Sequence, residues 1–347
     1  MHPPGLAAKL KFLQAPPSYG ASVTQVECLE THMSWVFLVD QLVYKLKKPV
    51  CFPFLDFTTL KAREFYCREE IRLNARMAPG VYCGVVALQW NQDTLALVPD
   101  ALLPAPGKTV DWLVLMRKLP LQRTLHQLIE KHRLTPSELS AVVELLAAFY
   151  RAAPRIALGE NDYLARFQYE QASNREVLLR PQFQLRDAAL AMDRFDAALA
   201  LVADLLRARA SGLRIVDGHG DLRPEHVFLL QPPAIIDCLE FNPQLRQLDP
   251  FAEIAYLSLE CSMAGAPWVG PFLVQGLADA LNDQAPPALL DFYKARSALL
   301  RARLAMAHLL DPQPRLPLKW APLAARYVTQ ALAASDAIIA TRQHGKP

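Results

Sequence analysis

The spacing of apolar positions changes twice along the chain, and the changes divide it. Near the N-terminus two short apolar runs, Ser34–Val39 and Leu42–Leu46, flank Asp40-Gln41, a pattern that predicts a β-hairpin. Thr58 or Thr59 can then cap a helix running to about Met77, with Phe65, Leu73 and Met77 near helical spacing and a polar face rich in Arg and Glu. Pro79-Gly80 stops it. Strands fit Val81–Gln89, Thr94–Pro99 and Asp111–Met116, the last running out at Leu119-Pro120.

Beyond Pro120 the period becomes helical. Gln122–Lys131, Pro136–Ala152, Tyr163–Leu179 and Asp187–Ala210 read as amphipathic helices, punctuated by Pro120, Pro136, Pro154 and Pro181. Extended runs return at Leu213–Val216, Val227–Leu230 and Ala234–Ile236, and helices follow over Phe251–Cys261, Val269–Asn282, Leu289–Leu310 and Leu323–Thr341. The expectation is an α+β protein of two lobes. Residues 1–119 form a small β-rich lobe with one helix, and residues 120–347 a larger helical lobe with a small β insertion.

Composition narrows the class. In 347 residues, 52% hydrophobic and 20% charged describe a well-buried globular protein rather than a disordered one. The net charge of +3, without a run of like charges, gives no electrostatic support for a nucleic-acid partner. Six scattered cysteines show no C-x-x-C pair or zinc-like spacing, which favours free thiols in a reducing compartment. The opening Met1-His-Pro-Pro-Gly lacks a charged-then-apolar leader, and no stretch of eighteen uncharged apolar residues occurs. A cytoplasmic protein without a membrane partner is expected.

Candidate chemistry concentrates in His219-Gly-Asp221-Leu-Arg-Pro-Glu-His226 and, sixteen residues after Asp221, in Ile235-Ile-Asp237. One aspartate presented on a loop as a base, with a second acid ending an apolar strand, is an arrangement that orients a hydroxyl and holds the metal on ATP. A lone charge at the end of Ala234-Ile-Ile is costly to bury unless a metal or hydrogen bonds satisfy it. Upstream, Lys45 and Lys47 lie two apart on one predicted strand and so share a face. Asp249 in Leu-Asp-Pro either holds a loop or caps the helix starting at Pro250.

These residues resemble the aminoglycoside phosphotransferase and choline kinase superfamily, small-molecule kinases of protein-kinase-like fold. His219-Gly-Asp221, Ile235-Ile-Asp237 and Leu248-Asp249-Pro-Phe-Ala-Glu253 carry the resemblance, in order and at close spacing. Glu30–Phe37, Tyr44–Pro49 and Phe54–Phe57 are similar to an uncharacterised bacterial branch sometimes fused to a P-loop ATPase domain; no G-x-x-x-x-G-K-[ST] occurs here. The resemblance implies a bilobal kinase-like fold, ATP with Mg²⁺ as cofactors, and a small-molecule hydroxyl acceptor. It implies Asp221 as catalytic base, His219 bracing its loop, and Asp237 as metal ligand. Lys45 is the first choice for the phosphate lysine, with Lys47 and Lys48 beside it; Glu69 is the first choice for its ion-pair partner, with Glu70 as rival. Met116 to Leu119 would link the lobes and read the adenine edge. The acceptor pocket would draw on Tyr163–Leu179 and Phe251–Val269, where acidic residues that would hold a polycation are not concentrated.

Two departures stand out. His226 occupies the position where the family carries an asparagine that binds the second metal, and imidazole suits Mn²⁺ better than Mg²⁺. No glycine occurs between Ala21 and Pro79, so a glycine-rich phosphate loop is missing and Thr31–Trp35 would have to serve. These departures motivate an alternative, a pseudokinase that binds nucleotide or acts as a scaffold without phosphoryl transfer.

Overall fold

The computed structural model describes residues 3–52 and 54–344; Met1, His2, Pro53 and the last three residues, within the expected lobes 1–119 and 120–347, lie outside the described residues. The chain divides into two compact units, one of residues up to Thr124 together with His226–Leu245, the other of Leu125–Glu225 and the residues from Arg246 onward. A single cut at 119/120 therefore becomes a nested arrangement in which the segment carrying His226 and Asp237 belongs with the N-terminal residues.

In the first unit, helix α1 (Leu6–Leu13) precedes β1 (Glu27–Glu30), β2 (Ser34–Val39), β3 (Leu42–Lys47), the short β4 (Cys51–Phe52) and β5 (Leu55–Asp56), helix α2 (Leu60–Asn74), β6 (Tyr82–Asn91), β7 (Thr94–Pro99) and β8 (Lys108–Arg117). Six strands make one sheet in the order β1-β2-β3-β8-β6-β7, every neighbouring pair antiparallel. The predicted hairpin is β2–β3, with Val39 opposite Leu42.

The sheet is covered on both faces. Phe37, Val39, Leu46, Val86, Leu88, Val110 and Leu113 pack with Leu13 of α1, whereas Val85, Ala87, Trp112 and Val114 pack with Cys67 of α2. Helix α1 escaped the sequence reading because eight residues carry too little periodicity, and so short a helix depends on tertiary packing. Thr59 caps α2, its side chain accepting from Ala62 N–H at 3.1 Å. The buried face of α2 is Arg63, Cys67, Glu70 and Asn74 with Leu73. Phe65, expected in the apolar repeat, is exposed.

The returning segment is a two-stranded hairpin, Val227–Phe228 against Ala234–Ile235. Phe228 and Ala234 pack on Ala78 and Val81, and Phe241 packs with Leu55 and Phe57. Ile235 N–H donates to Met77 O at 3.1 Å, and Cys238 N–H to Asn74 Oδ1 at 2.9 Å.

The second unit is helical: α3 (Leu125–Glu130), α4 (Pro136–Ala152), α5 (Glu160–Leu178) and α6 (Ala188–Ser211), then, after the one-turn α7 (Pro243–Arg246), α8 (Pro250–Met263), α9 (Val269–Leu281), α10 (Pro287–Ala307) and α11 (Pro317–His344). A two-stranded ladder, Val216–Asp217 with Gln247–Leu248, leads into the His219 loop. Asp249 caps α8, accepting from Phe251 N–H at 3.0 Å, and is clamped by Arg209, which also holds Asp283 at 2.7 Å. Among the described residues no helix is long and apolar enough to cross a membrane.

Candidate active site

Each unit presents its own cluster of chemistry. In the first, Lys45 projects from β3 with its ammonium 2.9 Å from Glu70 Oε1 and 3.0 Å from Asp237 Oδ1. Burial pulls the Lys45 pKa down, but the carboxylates of Asp237 and Glu70 outweigh it and hold the group well above the ordinary lysine value. Glu70 is likewise kept ionised: burial raises its pKa, and Lys45 and Lys47 drive it below the usual glutamate value.

The partner of Lys45 is therefore Glu70 and not Glu69. Residues 63, 67, 70 and 74 share the face of α2 turned to the protein, and Glu69, rotated off it, pairs on the surface with Arg72 at 2.7 Å. Lys47 shares the face of Lys45 but is engaged differently. Its ammonium contacts Glu70 Oε2 at 2.6 Å and the Glu240 carboxylate, and only 1% of its side chain is exposed, against 17% for Lys45. Lys48 pairs with Glu30 at 2.5 Å. Of the three lysines, Lys45 alone reaches both Glu70 and Asp237 among these contacts.

Asp237 ends the hairpin at φ +65°, a left-handed conformation that aspartate tolerates better than most residues. Its side chain is 44% exposed, and its Oδ2 lies 3.5 Å from His226 Nε2. One carboxylate and one imidazole are thus the protein donors here; among the described residues no group of three or more His, Cys, Asp or Glu is arranged to enclose a metal. Mg²⁺ bound through a single carboxylate, phosphate oxygens and water needs no such cage, so Asp237 fits that role, whereas the His226 nitrogen fits a softer ion.

Two further features of the first unit bear on nucleotide. Met116 lies on β8 opposite both Val43 of β3 and Tyr82 of β6, and Leu119, just past the strand, packs with Ala78 and Val81. The glycine-free turn before β2 is closed by Thr31, whose Oγ1 accepts from Ser34 N–H at 2.9 Å.

In the second unit, Asp221 receives a hydrogen bond from Tyr256 Oη to Oδ1 at 3.2 Å and pairs through Oδ2 with Arg223 Nε at 3.1 Å. Burial and the Asp221 charge raise the Tyr256 pKa well above the ordinary tyrosine value, so the phenol remains a donor. His219 is buried, and its Nδ1 accepts from Asp221 N–H at 3.2 Å. Behind the loop stands Glu253 of α8, whose carboxylate accepts from the N–H groups of His219, at 2.9 Å, and of Gly220, and from Tyr150 Oη at 2.8 Å. Gly220, at φ +88°, makes the turn.

The sequence alone suggested no role for Glu240, Asn74, Glu253 or Tyr256. A signal existed for the last two. Helix α8 is buried along nearly its whole length, yet carries Glu253, Tyr256 and Glu260 at spacings of three and four, a polar stripe that an apolar helix keeps only when partners wait inside.

Similarity to known structures accords with this architecture. Choline kinase from Cryptosporidium parvum superposes with a TM-score of 0.59 at 10% identity, over 97% of this chain and 96% of that one. The chain has a choline kinase-like fold. A choline/ethanolamine kinase family protein from Mesorhizobium loti (TM-score 0.52, 16% identity, 95% and 98% coverage) and an aminoglycoside phosphotransferase from Alicyclobacillus acidocaldarius (0.52, 14%, 99% and 98%) share it. In sequence, uncharacterised proteins of Mycobacterium tuberculosis and Mycobacterium bovis are 29% identical over 304 residues, covering 83% of this chain. The chain spans 56% of the length of these relatives. No family model matches it.

Proposed function

We propose that this choline kinase-like chain is an ATP-dependent phosphotransferase that moves the γ-phosphate to the hydroxyl of a small molecule. The observation that carries the reading is the ammonium of Lys45 held between Glu70 and Asp237, because it presents one cation for phosphate and one carboxylate for the metal on it. In this reading Lys45 engages the phosphates, the segment from Met116 to Leu119 offers backbone groups to adenine, and Asp237 holds Mg²⁺, with His226 making Mn²⁺ an effective substitute. The metal, when bound, neutralises phosphate charge. Asp221 orients the acceptor hydroxyl and takes its proton as the oxygen attacks phosphorus, leaving ADP and a phosphate monoester. Tyr256 and Arg223 fix the carboxylate, and His219 with Glu253 fixes the loop that bears it.

The test is ATP turnover with Mg²⁺ and with Mn²⁺ across sugars, amino alcohols and aminoglycosides. Asp221→Ala should lower transfer by about 10²–10⁴-fold, the usual contribution of a general base. Turnover equal to wild type in that variant would remove Asp221 from the chemistry. A second reading, a pseudokinase, draws on His226 lying 3.5 Å from Asp237 in place of a neutral oxygen donor. Thermal stabilisation by ATP without turnover, and activity gained by His226→Asn, would favour it.

A further inference from the structure

Lys47 is a buried ammonium with no part in the scheme above. It sits two residues from Lys45 on the same face of β3, between two carboxylates from different parts of the chain: Glu70 of α2 at 2.6 Å, and Glu240, three residues beyond Asp237. Its charge also lies 5.1 Å from the centre of the Phe57 ring. Glu70 thus divides its two oxygens between two lysines, Oε1 to Lys45 and Oε2 to Lys47. A lysine this deeply buried is costly unless paired, so fixed carboxylates around it mark a built feature rather than a stray surface charge.

We propose that Lys47 is a positioning residue for nucleotide binding: it pins α2 through Glu70 and the metal-bearing segment through Glu240 to the strand that carries Lys45. The inference rests on reading the first unit as the nucleotide-holding half. Its logic is the order in which partners are exchanged. In the structure Lys45 is shared by Glu70 and Asp237; were phosphate to draw on Lys45 and a metal to neutralise Asp237, Glu70 would be the carboxylate that loses part of its countercharge. Lys47 cannot follow the phosphate, because it is enclosed and held by two carboxylates, and so it keeps Glu70 aimed at Lys45. Through Glu240 it also keeps the residues after Asp237 in place. Asn74 reinforces the tie, its Nδ2 donating to Glu70 O at 2.8 Å while its Oδ1 accepts from Cys238 N–H at 2.9 Å.

The experiment compares the full-length wild type with Lys47→Met, Lys47→Arg and the double variant Lys47→Met/Glu240→Leu, measuring thermal unfolding and the affinities for MgADP and for adenosine, which has no phosphate. Lys47→Met should unfold at lower temperature and bind MgADP at least ten-fold more weakly, with adenosine affinity changed less than two-fold. The double variant removes both charges together and should recover stability but not MgADP affinity; Lys47→Arg should recover part of both. A stable double variant that binds MgADP like wild type would overturn the proposal, as would equal losses of MgADP and adenosine affinity in every variant, which mark a merely structural lysine. Wild type that binds no MgADP would instead overturn the nucleotide reading itself, and this inference with it.

Discussion

Glu69 and Glu70 are neighbours in sequence but stand about 100° apart around α2, and that rotation separates a solvent ion pair from a buried one. Exposed pairs contribute little, so Glu69→Gln should change unfolding free energy by less than about 0.5 kcal/mol and leave ATP turnover intact. Glu70→Gln leaves Lys45 and Lys47 short of countercharge; losing one partner of a buried pair costs about 3–5 kcal/mol. Denaturant unfolding and turnover measured side by side will separate the two. Asp283 offers a pH test in the second unit. Burial alone would raise its pKa, but hydrogen bonding and charge from Arg209 lower it below the ordinary aspartate value of about 3.8. A folded-state pKa lower than the unfolded one means that its stabilisation is present above the unfolded value and is lost as pH falls through the folded one. The thermal stability gap between wild type and Asp283→Asn should thus be widest near neutrality and shrink on acidification below about 3.8; a gap that grew instead would contradict the assigned direction.

At the scale of elements, α8 and the loop before it form one device. Glu253 accepts two loop N–H groups and the Tyr150 hydroxyl, and Gly218 lies so close that a Cβ there would stand 2.8 Å from Glu253 Oε2. Glu253→Gln exchanges a charged acceptor for a neutral amide that cannot accept all three bonds as well, and should cost about 1.5–3 kcal/mol with a loss of turnover. Gly218→Ala should push the carboxylate away and give a similar loss, readable as a lower unfolding temperature. How far such elements were legible depended on what each one's residues reveal alone. The β2–β3 hairpin, a cap at Thr58 or Thr59 and helix Pro136–Ala152 follow from apolar runs and capping chemistry within the segment itself, and the structure chooses Thr59. Helix α1 and strand β1 did not, because what fixes them is the sheet they cover or extend. The site divides along the same line. His219-Gly-Asp221 and Asp237 announce themselves as acids in loops and at strand ends, whereas the preference for Glu70 depends on which side of α2 meets the sheet. Phe65, bulky but exposed, lies off that side although its spacing from Leu73 suits an apolar repeat.

For the molecule as a whole, the nesting of residues 226–245 within the N-terminal unit sets what can fold alone. A fragment ending at Thr124 would expose Ala78, Val81, Leu55 and Phe57, now covered by Phe228, Ala234 and Phe241, and would leave Lys47 without Glu240. Such a fragment should lack cooperative unfolding by circular dichroism, whereas the full chain retains it. The same discontinuity puts a clock on biosynthesis. At about 5–20 residues per second, a ribosome that has made Thr124 needs on the order of 6–24 s more to reach Leu245. Through that interval Ala78, Val81, Leu55 and Phe57 wait uncovered, and the buried Lys47 has Glu70 as countercharge but lacks Glu240. The nascent N-terminal third is then a natural client for chaperones, and codon choice across the intervening helices should tune how much of it is captured.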